Sequence, residues 1–226
     1  MLTIQEVFDL FSKVGCCSFA TLDDQGGVDS RIAHFVAWDS EGLYFTTMTG
    51  KPFYRQLKAG SVLSACGEFT EMRCYNDEDN LPKFAPGFMI RVSGHVRELT
   101  LEEIATHAEV NPNFNVVVYD TGRYPETTVF VLDRAWGELY DYDFNMINRD
   151  HKIERERFAW GGATFVDPGF RITDACIGCG SCMTVCTHKA IVAGSPYRIL
   201  GERCDECGNC HHVCPAGAVE EKGLLA

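Results

Sequence analysis

Eight cysteines in two matching runs constrain this chain more than anything else in it. The first run is Cys176-Ile-Gly-Cys179-Gly-Ser-Cys182-Met-Thr-Val-Cys186; the second is Cys204-Asp-Glu-Cys207-Gly-Asn-Cys210-His-His-Val-Cys214-Pro215. Both read C-x2-C-x2-C-x3-C. Residues 174–191 recur at 202–219 with seven of eighteen positions identical: the four cysteines, Gly180/Gly208, Val185/Val213 and Ala190/Ala218. A secreted disulfide protein would spread its bridges along the chain. Cysteines concentrated in this way point instead to a reducing compartment and to metal chemistry.

The spacing has a physical reason. Three thiolates two residues apart wrap a tight loop around one face of an iron–sulfur cubane and ligate three of its irons. The fourth begins a short helix leading away, so it reaches the other cluster. One 4Fe–4S cluster then takes Cys176, Cys179, Cys182 and Cys214, and a second takes Cys204, Cys207, Cys210 and Cys186. Gly180 and Gly208 let the loops turn with positive φ. Zinc is the alternative, but it is usually held by two separated C-x2-C pairs, and two four-cysteine runs suit two cubanes better. Residues 170–222 resemble the bacterial ferredoxins with two 4Fe–4S clusters. Thr187 stands where that family commonly has proline, a departure that removes no ligand. His188, His211 and His212 lie beside ligands and read as surface or supporting residues, because the cysteine count is already complete.

The chain has 226 residues and a net charge of −12, a balance that repels phosphate backbones and excludes nucleic acid as a general partner. Residues 170–226 hold five basic and six acidic side chains, so −11 belongs to the rest. No apolar run approaches the roughly 18 residues of a membrane span. The first fifteen residues place Glu6 and Asp9 inside an apolar stretch with no basic lead-in, unlike a secretory signal. These features lead us to expect a cytoplasmic protein with no membrane partner.

Before residue 170 the pattern changes. Ile4, Val7, Phe8, Phe11 and Val14 predict an amphipathic helix over 3–14, with Thr3 and Glu6 as a capping box and Gly15 as its end. Strand-like runs follow at 16–22, 28–38 and 43–49, then a short helix over 51–59, and strands at 61–68, 72–75 and 88–99. Residues 76–87 read as a loop. Thr100 with Glu103 caps a helix over 101–110, and 127–142 is a last long strand. About six antiparallel strands with few helices suggest a closed barrel. The charged run 149–157 reads as a solvated linker face, and Cys16, Cys17, Cys66 and Cys74 as small buried hydrophobes.

One segment has the look of a cofactor site. Arg31 sits on one strand, Phe45-Thr46-Thr47 on the next, and Gly50-Lys51 opens a helix. Arg31 can bind a phosphate bidentately, Lys51 adds a second charge, and a threonine hydroxyl and the helix N-terminus complete a cradle. Residue types alone leave an ordinary solvated strand face as the alternative. His34 is a candidate proton carrier or a packed strand residue; Trp160 anchors the linker or shields the cofactor.

Residues 1–142 resemble the FMN-binding split β-barrel of the pyridoxamine 5′-phosphate oxidase-like family. The resemblance implies a homodimer with FMN held at the subunit interface. It places Arg31 and Lys51 on the phosphate, the backbone of Ile32 and Ala33 against the isoalloxazine, and Thr46 and Thr47 on the neighbouring strand. The late Trp and Arg motif of the true pyridoxamine phosphate oxidases has no counterpart here, which argues against that substrate.

The expected fold class is therefore mainly β with α: a split β-barrel (1–145), a linker (146–169) and a small C-terminal α+β ferredoxin-like domain (170–226). The expected function is an oxidoreductase passing electrons between two 4Fe–4S clusters and FMN, acting on a small molecule or a redox partner protein. No residue stands out as catalytic. The alternative is an electron-carrier module whose barrel serves dimerisation and binds no flavin; a barrel holding haem or a deazaflavin is a third.

Overall fold

The structure is a computed structural model that describes residues 1–70, 75–76, 78–80, 82–83, 87–111, 114, 122–142, 153–164 and 169–222. The chain divides into two compact units. One comprises Met1–Phe69, Met89–Glu138 and Arg157–Phe165; the other comprises Thr70–Phe88, Leu139–Glu156 and Val166–Ala226.

The first unit begins with α1 (Ile4–Val14). Thr3 accepts from the Glu6 N–H while Glu6 reaches back to Thr3, and Gly15 closes the helix at φ 79°. The strands up to residue 160 are β1 (Cys17–Leu22), β2 (Val28–Ala33), β3 (Ala37–Trp38), β4 (Leu43–Met48), β5 (Val62–Thr70), β6 (Tyr75–Asn76), β7 (Pro82–Lys83), β8 (Gly87–Glu98), β9 (Thr127–Tyr142) and β10 (Ile153–Trp160), with helices α2 (Pro52–Gly60) and α3 (Leu101–Val110) between them; β6, β7, the end of β9 from Leu139 and the start of β10 up to Glu156 belong to the second unit. Thr100 and Glu103 form the expected capping box on α3. The main sheet runs β2-β1-β5-β8-β9-β4-β3, with β10 on β9; β6 and β7 pair separately. Mainly β with a few helices is thus the fold class, as the sequence predicts.

An aromatic core explains the wrapping of this sheet. Phe19 and Phe45 are fully buried and meet at 5.4 Å; Phe35 packs 5.0 Å from Phe11 and 4.8 Å from Phe19; Phe130 stacks on Phe45. Each such ring removes 150–250 Å² from water. Phe35 also corrects one expectation. The run 28–38 is not one strand but β2 and β3, because the chain turns Phe35 into the core between Phe11 and Phe19. Val36 then hands its N–H to the Tyr44 carbonyl (2.7 Å).

A second correction falls in the expected linker, where 153–160 form β10. Within the charged run, Arg155 is buried rather than solvated. Phe158 is fully buried, and Trp160 donates to the Leu132 carbonyl (2.9 Å), so this indole fixes β10 to β9. Cys17 is buried as expected, but Cys16 and Cys66 are exposed. Cys74 and most of the 72–75 strand lie outside the described residues.

The second unit has β11 (Phe170–Ile172), α4 (Ser181–Thr184), β12 (Ile191–Val192), β13 (Arg198–Ile199), a 3-10 turn at Gly201–Arg203, α5 (Asn209–His212) and β14 (Val219–Glu221). Its elements repeat at the 28-residue offset of the cysteines. β11 pairs with β14, and β12 with β13. Each half therefore lends its second strand to the first strand of the other half. No described helix is long and apolar enough to cross a membrane.

Candidate functional site

In the first unit, one cleft of about 450 Å³ is lined by Arg31, Ile32, Ala33, Thr46, Thr47 and Lys51, together with Asp29, Ser30, His34, Pro52 and Phe53. All six residues singled out in the sequence for a cofactor thus face one space. The sheet explains why. β1 pairs with β2 on one side, β4 is held by β9, and the turn at Gly50 brings the start of α2 to the same place. β2 ends the sheet, so alternate backbone groups along it face away from β1. Ile32, also on this edge, is 70% exposed.

The cleft has the electrostatics of an anion site with one internal counterion. Lys51 is the N-cap of α2, Pro52 occupies the first turn, and no acidic residue does, so the positive end of the helix is not offset locally. Arg31 lies over the Phe53 ring at 4.3 Å. Its guanidinium donates to Thr21 (2.7 Å), Asp29 (2.7 Å) and Gln56 (2.8 Å), which uses three of the five N–H donors of an arginine. A hydrogen bond from Gln56 and the charge of Arg31 hold the Asp29 carboxyl below its ordinary range. The fit to a polar ligand rests on Thr47. It is buried, and its hydroxyl has no hydrogen-bond partner among the described residues. Such a group costs about 1–3 kcal/mol unless something bonds it. His34 is exposed beside the cleft. Trp160 is not among the residues lining it.

In the second unit, Cys176, Cys179, Cys182 and Cys214 line one small cavity with Ile172, Tyr197 and Val219. Three come from the first run and one from the second, the set that ligand exchange between runs requires. The other four are also neighbours electrostatically: Cys186 acts on Cys204, and Cys204 and Cys207 act on Cys210. The two halves use the same local devices. Gly180 and Gly208 adopt φ 79° and 77° ahead of α4 and α5. The Ala190 N–H donates to Cys186 Sγ and the Ala218 N–H to Cys214 Sγ, each at 3.3 Å.

Burial pushes the Cys210 thiol up to about 11 and raises Cys182 and Cys204, so loading a metal there must displace protons. Hydrogen bonding from Ser181 lowers Cys179. Among the described residues no three ligating side chains surround a single ion, and in the cubane arrangement each thiolate takes an iron of its own. The histidines beside the runs have other contacts. His211 Nδ1 meets the Val219 carbonyl, and His188 lies 3.7 Å from Asp205.

The sequence reading missed Arg155 and Glu206, which form an ion pair beside Cys204. A lone glutamate opposite a repeat glycine (Gly178) was the available signal.

Residues 175–218 match the model of the 4Fe-4S dicluster domain. This is the class that the fold and the thiols of the second unit define: an iron–sulfur, ferredoxin-type unit. No curated protein matches the chain. Among solved structures, it is similar to a NimC/NimA family protein from Clostridium acetobutylicum (16% identity, 69% of this chain and 92% of the other, TM-score 0.46). It is also similar to a protein related to general stress protein 26, of the pyridoxinephosphate oxidase family, from Clostridium acetobutylicum (12%, 70% and 96%, TM-score 0.42). A third is HutZ, the heme storage protein from Vibrio cholerae (16%, 59% and 90%, TM-score 0.40). These are likenesses at low identity, and nothing about this chain's ligand follows from them.

Proposed function

We propose that the protein is an FMN and iron–sulfur oxidoreductase, with FMN in the Arg31–Lys51 cleft and two 4Fe–4S clusters in the second unit. The observation that carries the flavin reading is Thr47: a buried hydroxyl lacking a described partner, in a cleft that also gathers Arg31, Lys51 and an unopposed helix start. Arg31 and Lys51 would hold the phosphate with Thr47. Ile32 and Ala33 would lie along the flat ring, their edge-strand backbone supplying donors and acceptors. When bound, the clusters supply single electrons and the flavin exchanges one or two. The substrate would be a small molecule or a redox partner protein. A second copy of the chain is the expected partner, and exposed Leu22, Val28, Val62 and Trp136, which line one depression, are apolar surface for it to cover.

One observation favours the second reading, a barrel without flavin: Arg31 is already paired with Asp29 and Gln56 in its own chain. The discriminating experiment is anaerobic purification with an absorption spectrum and FMN and iron assays. The proposal expects FMN and eight irons per chain. R31A with K51A should weaken FMN retention at least tenfold and leave the iron content unchanged. Eight irons with no FMN uptake at micromolar concentration would establish the carrier reading instead.

A further inference from the structure

The two cysteine runs share their spacing, and one of the differences between them falls at a left-handed backbone position. At the 28-residue offset, Gly178 (φ 69°) corresponds to Glu206 (φ 59°). Both positions are left-handed, a conformation glycine takes freely and glutamate does not. The second half therefore keeps a strained, charged residue where the first keeps a glycine.

Glu206 is tied to the second site from both ends. Its N–H donates to Cys204 Sγ at 3.3 Å. Its carboxylate pairs with Arg155, whose side chain is 2% exposed. Arg155 comes from β10, outside the repeat, and its guanidinium lies 4.3 Å over the Tyr140 ring. At the first site the corresponding backbone has no such charge; there the Tyr197 hydroxyl donates to the Gly178 carbonyl (3.3 Å). The second loop's other carboxylate, Asp205, is half exposed and lies 3.7 Å from His188.

Building on the two-cluster reading, we propose that the Arg155–Glu206 pair sets the reduction potential of the second site (Cys204, Cys207, Cys210, Cys186) independently of the first. Reduction by one electron adds one negative charge without breaking a bond. A nearby cation in a poorly solvated place favours the reduced form, and a nearby carboxylate opposes it. The device makes two sites with the same ligands unequal, which gives electrons a preferred resting place.

The test uses the full-length holoprotein, prepared anaerobically and titrated with dithionite and mediators while spin resonance follows reduction. R155Q removes the cation and keeps the Glu206 charge, so one of the two potentials should fall. E206Q does the reverse and should raise that same potential. The other potential should stay at its wild-type value in both, and R155K should restore most of the shift. E206Q keeps the proposal testable if loss of buried Arg155 impairs folding. Variants that hold eight irons with both potentials unchanged would overturn it, as would equal shifts at both sites. A wild-type protein with zinc in place of iron would instead remove the two-cluster reading on which the proposal rests.

Discussion

The two units are built by opposite means, one around an apolar core and the other around its cysteines. The β unit has a core of its own, with Phe11, Phe19, Phe45, Phe130 and Phe158 almost wholly buried among Leu43, Leu57 and Leu132. Its cleft is a by-product of a frame that apolar burial already stabilises. Between 169 and 222 the described strands are two or three residues long and the described α-helices four, and few of the described apolar residues there are buried: Ala190, Ile191, Ala218 and Val219. A segment of this size seldom folds on core burial alone, so its ligands must supply the missing stability. A preformed cleft tolerates loss of its ligand; a metal-organised loop does not.

The sharpest way to break this contrast is to remove the metal. Anaerobic chelation should abolish ordered structure in 170–222, read as loss of amide-exchange protection, while α1 and the β unit stay protected. Retained protection in the cysteine unit without iron would end the distinction. Next in size is Phe45→Ala, which removes a ring packed against Phe19, Phe53 and Phe130. It should cost about 3–5 kcal/mol in urea unfolding of the β unit and leave the iron content unaltered.

The smallest effect concerns pH. Burial, with a smaller contribution from Cys66 and Cys16, pushes the Cys17 thiol up to about 11 from an ordinary 9. Between those values the unfolded chain has lost this proton and the folded one keeps it, so stability is full below pH 9 and falls as pH rises toward 11. The loss should be on the order of 2 kcal/mol. It should be absent in C17A, as measured by the difference between the two pH–stability curves.

Much of this was legible locally. The capping boxes at Thr3 and Thr100 mark α1 and α3, because a cap is a contact between residues three apart. The cleft residues on β2, β4 and α2 could be named because they lie within 21 residues of one another. The split of 28–38 at Phe35 could not be read, since it depends on where Phe11 and Phe19 end up. Nor could β10: a run as charged as 149–157 reads as solvated until Arg155 finds Glu206 and Tyr140.

By itself, then, the sequence determined which groups gather: eight thiols in a spacing set by the reach of short loops, and Arg31, Thr47 and Lys51 brought to one cleft by a strand, a turn and a helix start. Tertiary structure alone decided which charges those sites meet. The ion pair of Arg155 with Glu206 spans 51 residues, and the strand exchange joins β11 to β14 across two repeats. Such partners are chosen by packing, which depends on distance through space rather than on spacing along the chain.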